Sequence, residues 1–260
     1  MRTTPLRATV SALAVIFFCP NLASAQTSRE DLIARGVKMP KKWGLGIVYY
    51  NQKQPYKIDS LELGLPGFDP ATASGLPVDN DATSYHAVFD FWALPFLNIE
   101  LLAGNIDGKT DVGLSTVNIG VPLDNITVDY SGFFYGAGFT LAAGSPVYWT
   151  SVTTEYSNTK LDNENSSVSA WIVTPRIGVN ISEETALFIG AMYQKPEEKH
   201  QGTYTIPGMG TVPYDVTLTG KYAWNYLAGA HIGFGEHWRL NLEAGFGDRD
   251  SAQAYLCYRW

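Results

Sequence analysis

Read two residues at a time, the chain after Lys42 falls into ten stretches in which an apolar face alternates with a small or polar one. The first presents Trp43, Leu45, Ile47 and Tyr49 on its apolar face. The second presents Tyr85, Ala87, Phe89 and Phe91, and the third Leu97, Ile99, Leu101 and Ala103. The eighth is the longest, running from Tyr222 to Phe234, and the last places Leu256, Tyr258 and Trp260 opposite Tyr255, Cys257 and Arg259. Strict period-two alternation predicts β-strands with unlike surroundings on their two sides. Helix-like periodicity is absent, so the chain reads as all-β.

The opposite faces exclude an ordinary sandwich. They carry Gly132, Gly136 and Gly138 in the fourth stretch, Asn225, Gly229, His231 and Gly233 in the eighth, and Arg239, Asn241, Glu243 and Gly245 in the ninth. Small side chains with little lysine suit the crowded inside of a narrow barrel better than a surface washed by water. Connections alternate in length. Short turns at 94–96, 143–146, 181–184 and 235–237 separate longer polar stretches near 52–82, 107–125, 158–166 and 196–214. Short turns on one side and long loops on the other are the arrangement of bacterial outer-membrane barrels, and an even strand number puts both ends on the short-turn side. Closure also satisfies every backbone group in hydrocarbon, where an open sheet edge is not tolerated. Aromatics gather in two girdles: Trp43, Phe91, Phe139, Phe234, Trp238 and Trp260 at the short-turn end, and Tyr49, Tyr85, Tyr156, Trp171, Tyr193 and Trp224 at the other.

With these residues in view the chain resembles small bacterial outer-membrane β-barrel proteins. The resemblance is architectural and covers nearly everything after Lys42. It implies a closed antiparallel up-and-down transmembrane β-barrel, expected with ten strands (eight or twelve being the alternatives), in the outer membrane of a Gram-negative cell. It also implies that Tyr258 and Trp260 form the assembly signal read by the barrel insertion machinery. Pro175 sits inside the sixth stretch without an N–H to give the ladder, so a bulge or strand end is expected near Thr174.

The N-terminus refines location and charge. Arg2 and Arg7, an apolar run from Ala12 to Phe18, and Ala23-Ser24-Ala25 follow the order of a secretory signal peptide, with cleavage expected before Gln26. The expected organisation is a signal peptide over 1–25, a periplasmic segment over 26–41 and the barrel over 42–260. The segment reads as a frayed tail or as one short amphipathic turn, the tail being the simpler reading. Cys19 leaves with the signal, so Cys257 is the one cysteine expected in the exported chain, and no internal disulfide can form. Of 18 basic and 25 acidic residues the signal removes two basic ones, which leaves 16 against 25 and a net charge of −9. That charge disfavours nucleic acid and anionic surfaces as partners.

Chemistry could live in the lumen or on the loops. Asp90, Glu100, Arg176, Arg239, Glu243 and Arg259 all fall on the inward face, as an ion network that fills the lumen or as a constriction that selects solutes by charge. Ten strands enclose little space once side chains fill it, which favours the network. Three enzyme families use barrels of this size. The lipid-cleaving hydrolases carry a His-x-Ser pair, but His86, His200, His231 and His237 are followed two residues later by Val88, Gly202, Gly233 and Arg239. For a surface protease, Asp248 and Asp250 of "GDRDS" with His200 are the candidates, against the plain reading of a tight turn. His200 with Glu197 and Glu198 could hold a metal, although a solvated charged loop is the plainer reading. Loop 1, "PYKIDSLELGLPGFDPATASGLPVDND", could pack as a lid, and the "PGMG" segment should extend strands 7 and 8 beyond the membrane as a hairpin. The leading expectation is therefore a monomeric, cofactor-free, small porin-like channel for small solutes, with outer-membrane lipid and the insertion machinery as partners. A closed-lumen adhesin-type structural barrel and a loop-borne hydrolase are the alternatives.

Overall fold

In a computed structural model, the described residues are 28–64, 75–113, 125–162, 166–206 and 210–260. A six-residue helix, α1 (Arg29–Ala34), precedes eleven strands: β1 (Trp43–Leu63), β2 (Val78–Leu94), β3 (Leu97–Val112), β4 (Ile126–Gly144), β5 (Tyr148–Leu161), β6 (Ser167–Asn180), β7 (Thr185–Ile206), β8 (Gly210–Gly220), β9 (Trp224–Phe234), β10 (Trp238–Phe246) and β11 (Asp250–Arg259). All pairings are antiparallel. Ten strands close a ring in chain order with β8 omitted, and β11 returns to pair with β1 through ten residues, from Gly44 opposite Arg259 to Lys53 opposite Asp250.

β8 makes a second, higher closure. The lower part of β7, Thr185–Tyr193, pairs with β9, while Glu197–Ile206 pairs with β8. β1 divides the same way: its lower part pairs with β11 and Tyr56–Leu63 pairs with β8. The barrel thus has two storeys, ten strands below and eight (β1 to β8) above. The expected ten strands are the lower storey. The expected hairpin is present as β7 and β8, but its descending arm does not continue into the next membrane strand. The chain leaves the ladder at Lys221–Ala223, where Lys221 N–H donates to Pro55 O (3.0 Å) and Gln194 N–H to Ala223 O (2.8 Å).

The apolar pattern inverts between the storeys, which locates the membrane. In the lower storey the outward face is apolar and exposed, as at Ile47 (66%), Tyr226 (66%) and Ile189 (64%). Higher on the same strands the outward positions become Lys53, Asp81, Lys109 and Lys195, and the apolar residues turn inward as Tyr56, Ile58 and Val78, joined by Val216 and Leu218 of β8. An apolar residue faces lipid where lipid is present and hides from water where it is not. The lipid band runs up to eleven residues, as in β9. At about 3.3 Å per residue and a tilt of about 40° that is about 25 Å, the height of an outer-membrane apolar band. Cross-strand ring pairs mark its edges: Tyr49–Tyr85 at 5.1 Å, Tyr156–Trp171 at 4.9 Å and Tyr193–Trp224 at 5.4 Å on the outer side, and Trp43–Phe91 at 5.2 Å and Trp238–Tyr258 at 5.1 Å on the short-turn, periplasmic side.

Two local expectations change. No bulge forms beside Pro175: β5 and β6 pair without interruption through it, and β6 and β7 keep one register from Val173 opposite Tyr193 to Arg176 opposite Gly190. The ladder to β7 simply lacks the pairs at Thr174 and Pro175, as expected where proline offers no N–H. The connection expected over 52–82 is mostly strand, because β1 and β2 rise well above the lipid. The signal peptide, Cys19, the middle of loop 1 and the "PGM" tip lie outside the described residues.

Candidate functional site

The lower lumen is built from inward side chains that the two-residue period places on one surface. Arg176 Nε of β6 donates to Glu243 Oε2 of β10 at 2.7 Å, with side-chain exposures of 13% and 2%. Arg259 of β11 pairs with Asp90 of β2, whose other contacts are Asn98 Nδ2 (2.6 Å) and the Tyr255 hydroxyl (3.3 Å). Gly44 allows this second pair, since a Cβ there would strike the Asp90 carboxylate. Four of the six residues singled out from the sequence therefore form two ion pairs on the lumen wall. The other two do not join them. Arg239 points its Nη1 at the carbonyls of Trp238 (2.7 Å) and Gly235 (3.2 Å), and Glu100 Oε1 is buried without a hydrogen-bond partner among the described residues. Glu155 of β5 belongs with Glu100, because both approach the empty Cβ position of Gly138.

An aromatic wall stands beside the Arg176 pair. Trp149, Phe188 and His231 have ring centroids 4.8 to 5.8 Å apart, and the Arg176 guanidinium lies 5.9 Å from the Phe188 ring. The inward residues Ser151, Thr153, Glu155, Ser157, His231 and Asn241 are part-exposed, whereas Val48, Val88, Leu102 and Phe134 on the inward faces of β1 to β4 form a second buried cluster.

The upper storey is packed through. Tyr56, Ile58, Leu61, Val78, Val216 and Leu218 form one buried cluster. Beside it Glu198 is buried, its Oε1 accepting from the Tyr56 hydroxyl (2.8 Å) and its Oε2 lying 3.2 Å from His200 Nε2. Asn80 Nδ2 donates to Thr110 (3.0 Å) and to the Tyr130 hydroxyl (2.9 Å). Burial, and then the Glu198 charge, push the Tyr56 phenol well above its ordinary range, and the same two causes raise Tyr130. Eight strands enclose a space that side chains just fill, so this storey acts as a plug made of its own wall.

Under the plug the β10–β11 turn folds inward. Arg249 is 2% exposed, and its Nη1 donates to the side-chain carbonyls of Gln54 (3.1 Å) and Gln194. No carboxylate pairs with it among the described residues, and burial lowers its pKa. This arginine was not singled out from the sequence. The signal available was a basic residue between two aspartates in a tight turn, which reads as solvated.

The loop candidates separate. Asp248 and Asp250 are exposed, while His200 is buried inside the plug against Glu198. Glu197 turns outward to Lys199 at 3.1 Å, so Glu197 and Glu198 occupy opposite faces and cannot share a metal with His200.

No family model and no curated protein matches the chain. Solved structures do. The outer membrane protein OprG from Pseudomonas aeruginosa aligns over 85% of this chain and 98% of its own at 9% identity and a TM-score of 0.48. The outer membrane protease OmpT from Escherichia coli aligns over 86% and 99% at 9% identity and 0.47, and the beta domain of the Bordetella autotransporter BrkA over 84% and 100% at 10% identity and 0.44. At such scores these likenesses add nothing to what the closed ring and its apolar belt already establish. The chain is an outer-membrane β-barrel. Barrel architecture alone leaves the activity open.

Proposed function

We propose that this barrel is a closed-lumen, monomeric surface protein of the outer membrane, whose working face is the outer storey with its projecting β7–β8 hairpin. The observation that carries this reading is the packed interior of the upper storey, where buried side chains meet across the ring: Tyr56 of β1 donates to Glu198 of β7 (2.8 Å), the His200 ring of β7 lies 5.8 Å from that of Tyr130 of β4, and Tyr130 meets Asn80 of β2 (2.9 Å). The outward side of that storey is a mixed-charge surface, with Lys53–Asp81 at 2.9 Å and Lys109–Asp111 at 3.1 Å, as suits a structural or adhesin-type face in water. Outer-membrane lipid surrounds the lower storey, and Tyr258 and Trp260 serve the insertion machinery. Purified protein in planar bilayers is expected to carry no steady ion current, and a sustained open conductance at low voltage would overturn the reading.

A small porin-like channel is the second reading, favoured by the part-exposed inward band around Glu155 and His231. It requires the plug to move. Leu218→Ala together with Tyr56→Ala should then open a conductance that the parent lacks. A hydrolase built on Asp248 and Asp250 is supported less, because His200 is committed to Glu198. Equal turnover of peptide and lipid substrates by Asp248→Asn and Asp250→Asn variants would remove it.

A further inference from the structure

At the lumen's other end the segment before β1 lies against the periplasmic turns. α1 is capped by a reciprocal pair, Ser28 with Asp31, and folds back so that Arg29 reaches the Pro40 carbonyl. The chain between them touches three successive periplasmic turns. Gly36 lies against Pro146 of the β4–β5 turn, Lys38 Nζ donates to Glu183 O of the β6–β7 turn (2.7 Å), and Lys41 Nζ meets the His237 ring (3.2 Å) and Glu236 (3.7 Å) of the β9–β10 turn. At its end Lys41 O accepts from Arg259 Nη1 (3.2 Å), and Lys42 O accepts from Trp92 N–H (2.9 Å). The segment thus runs from the β1–β11 seam to the β4–β5 turn, nearly opposite on a ten-strand ring.

We propose that residues 28–42 are a releasable strap across the periplasmic mouth, and that the inward face of the lower storey becomes accessible from the periplasm when the strap lifts. The anchoring is of the kind that releases. Lys38 holds one carbonyl at an exposed site, Glu236 in the Lys41 pair is 85% exposed, and α1 has no buried residue. Exposed ion pairs contribute little and weaken with salt. The attachment is therefore polar and peripheral, unlike the apolar packing of the outer plug. The strap goes beyond the closed-lumen proposal, which concerns the opposite end and is tested by conductance.

Cys257 supplies the reporter. Its thiol points into the lumen two residues from Arg259 and is 2% exposed, the one cysteine among the described residues. A bulky, membrane-impermeant methanethiosulfonate should label it slowly in the full barrel in micelles. Lys38→Ala with Lys41→Ala should speed labelling at least tenfold, as should raised salt on the parent. In a second protein, Lys38→Cys and Glu183→Cys are joined by a cleavable cross-linker, and labelling of Cys257 should be slowest with the bridge intact and faster after it is cut. The same slow rate in parent and double-alanine protein overturns the proposal. If the alanine variant fails to assemble, the bridged protein decides, and identical rates before and after cleavage overturn it.

Discussion

Removing Arg176 should cost more than removing its partner Glu243, and the asymmetry follows from who else each residue serves. The pair is buried, with Glu243 at 2% side-chain exposure and a 2.7 Å contact. Arg176→Met leaves that carboxylate buried and unpaired, which costs about 3–5 kcal/mol. It also withdraws the positive charge that acts on Glu100 and Glu155 nearby. Glu243→Gln removes a charge-assisted hydrogen bond, about 1.5–3 kcal/mol, but leaves Arg176 facing two other carboxyl groups. The double variant should lose no more than about 2–3 kcal/mol, because the orphaned charge is gone. The coupling between the two sites should then be at least about 1.5 kcal/mol. Reversible urea unfolding in phospholipid vesicles, followed by tryptophan fluorescence, measures all three variants. Additivity within about 0.5 kcal/mol, or a larger loss for Glu243→Gln than for Arg176→Met, would refute this account of the lumen.

Leu218, 1% exposed in the plug, should cost about 2–5 kcal/mol when cut to alanine, read as earlier urea unfolding of the upper storey. Alkaline stability should fall in a defined window. Tyr56 and Tyr130 keep their protons in the folded protein above the ordinary phenol range, whereas the unfolded chain releases them near pH 10. Stability is therefore complete below about pH 10 and drops by about 1.4 kcal/mol per pH unit for each such tyrosine above it. Tyr56→Phe should shallow that slope measurably, and an unchanged slope would contradict the burial argument. Gly46→Val should stop the β1–β11 seam from closing, since a Cβ there would collide with the Leu256 carbonyl, and loss of the heat-resistant folded band on gels would report it. Trp260→Ala should slow insertion by the assembly machinery while leaving any surface activity of inserted protein intact, and normal insertion would count against the signal.

The membrane strands were legible because their outward face is apolar at every second residue, although the inward face is mixed and holds a buried cluster of Val48, Val88, Leu102 and Phe134 as well as small and polar residues. That rule located Ile47, Tyr226 and Leu256 on lipid without any knowledge of the fold. The plug was harder to see because its rule is the reverse. Val212, Tyr214, Val216 and Leu218 alternate as cleanly as any membrane strand, yet they follow a hairpin tip rich in glycine and proline and point inward. Alternation gives a face and not a side, and only the surrounding solvent decides which side is lipid. The ion pairs were legible as a set, but partner choice depended on strand stagger. Arg259 lies beside β1 and meets Asp90 on β2, whereas Arg239, near the same rim, turns to backbone carbonyls. The segment before β1 reads more simply as a frayed tail than as one short amphipathic turn, yet the turn is present as α1, which buries no residue and so gives only a weak apolar signal.

β1 takes part in both closures, holding β11 along its lower half and β8 along its upper half. The wall therefore has a single zip line with two sliders, one formed with the last strand and one with a strand about 160 residues downstream of its partner. Interior area scales roughly with the square of strand number, so eight strands enclose about two-thirds of what ten do. The molecule is a bottle with a neck, and the neck can be lengthened or shortened at the β7–β8 hairpin without altering a residue that touches lipid. Surface variation and membrane fit are thereby uncoupled in one continuous sheet.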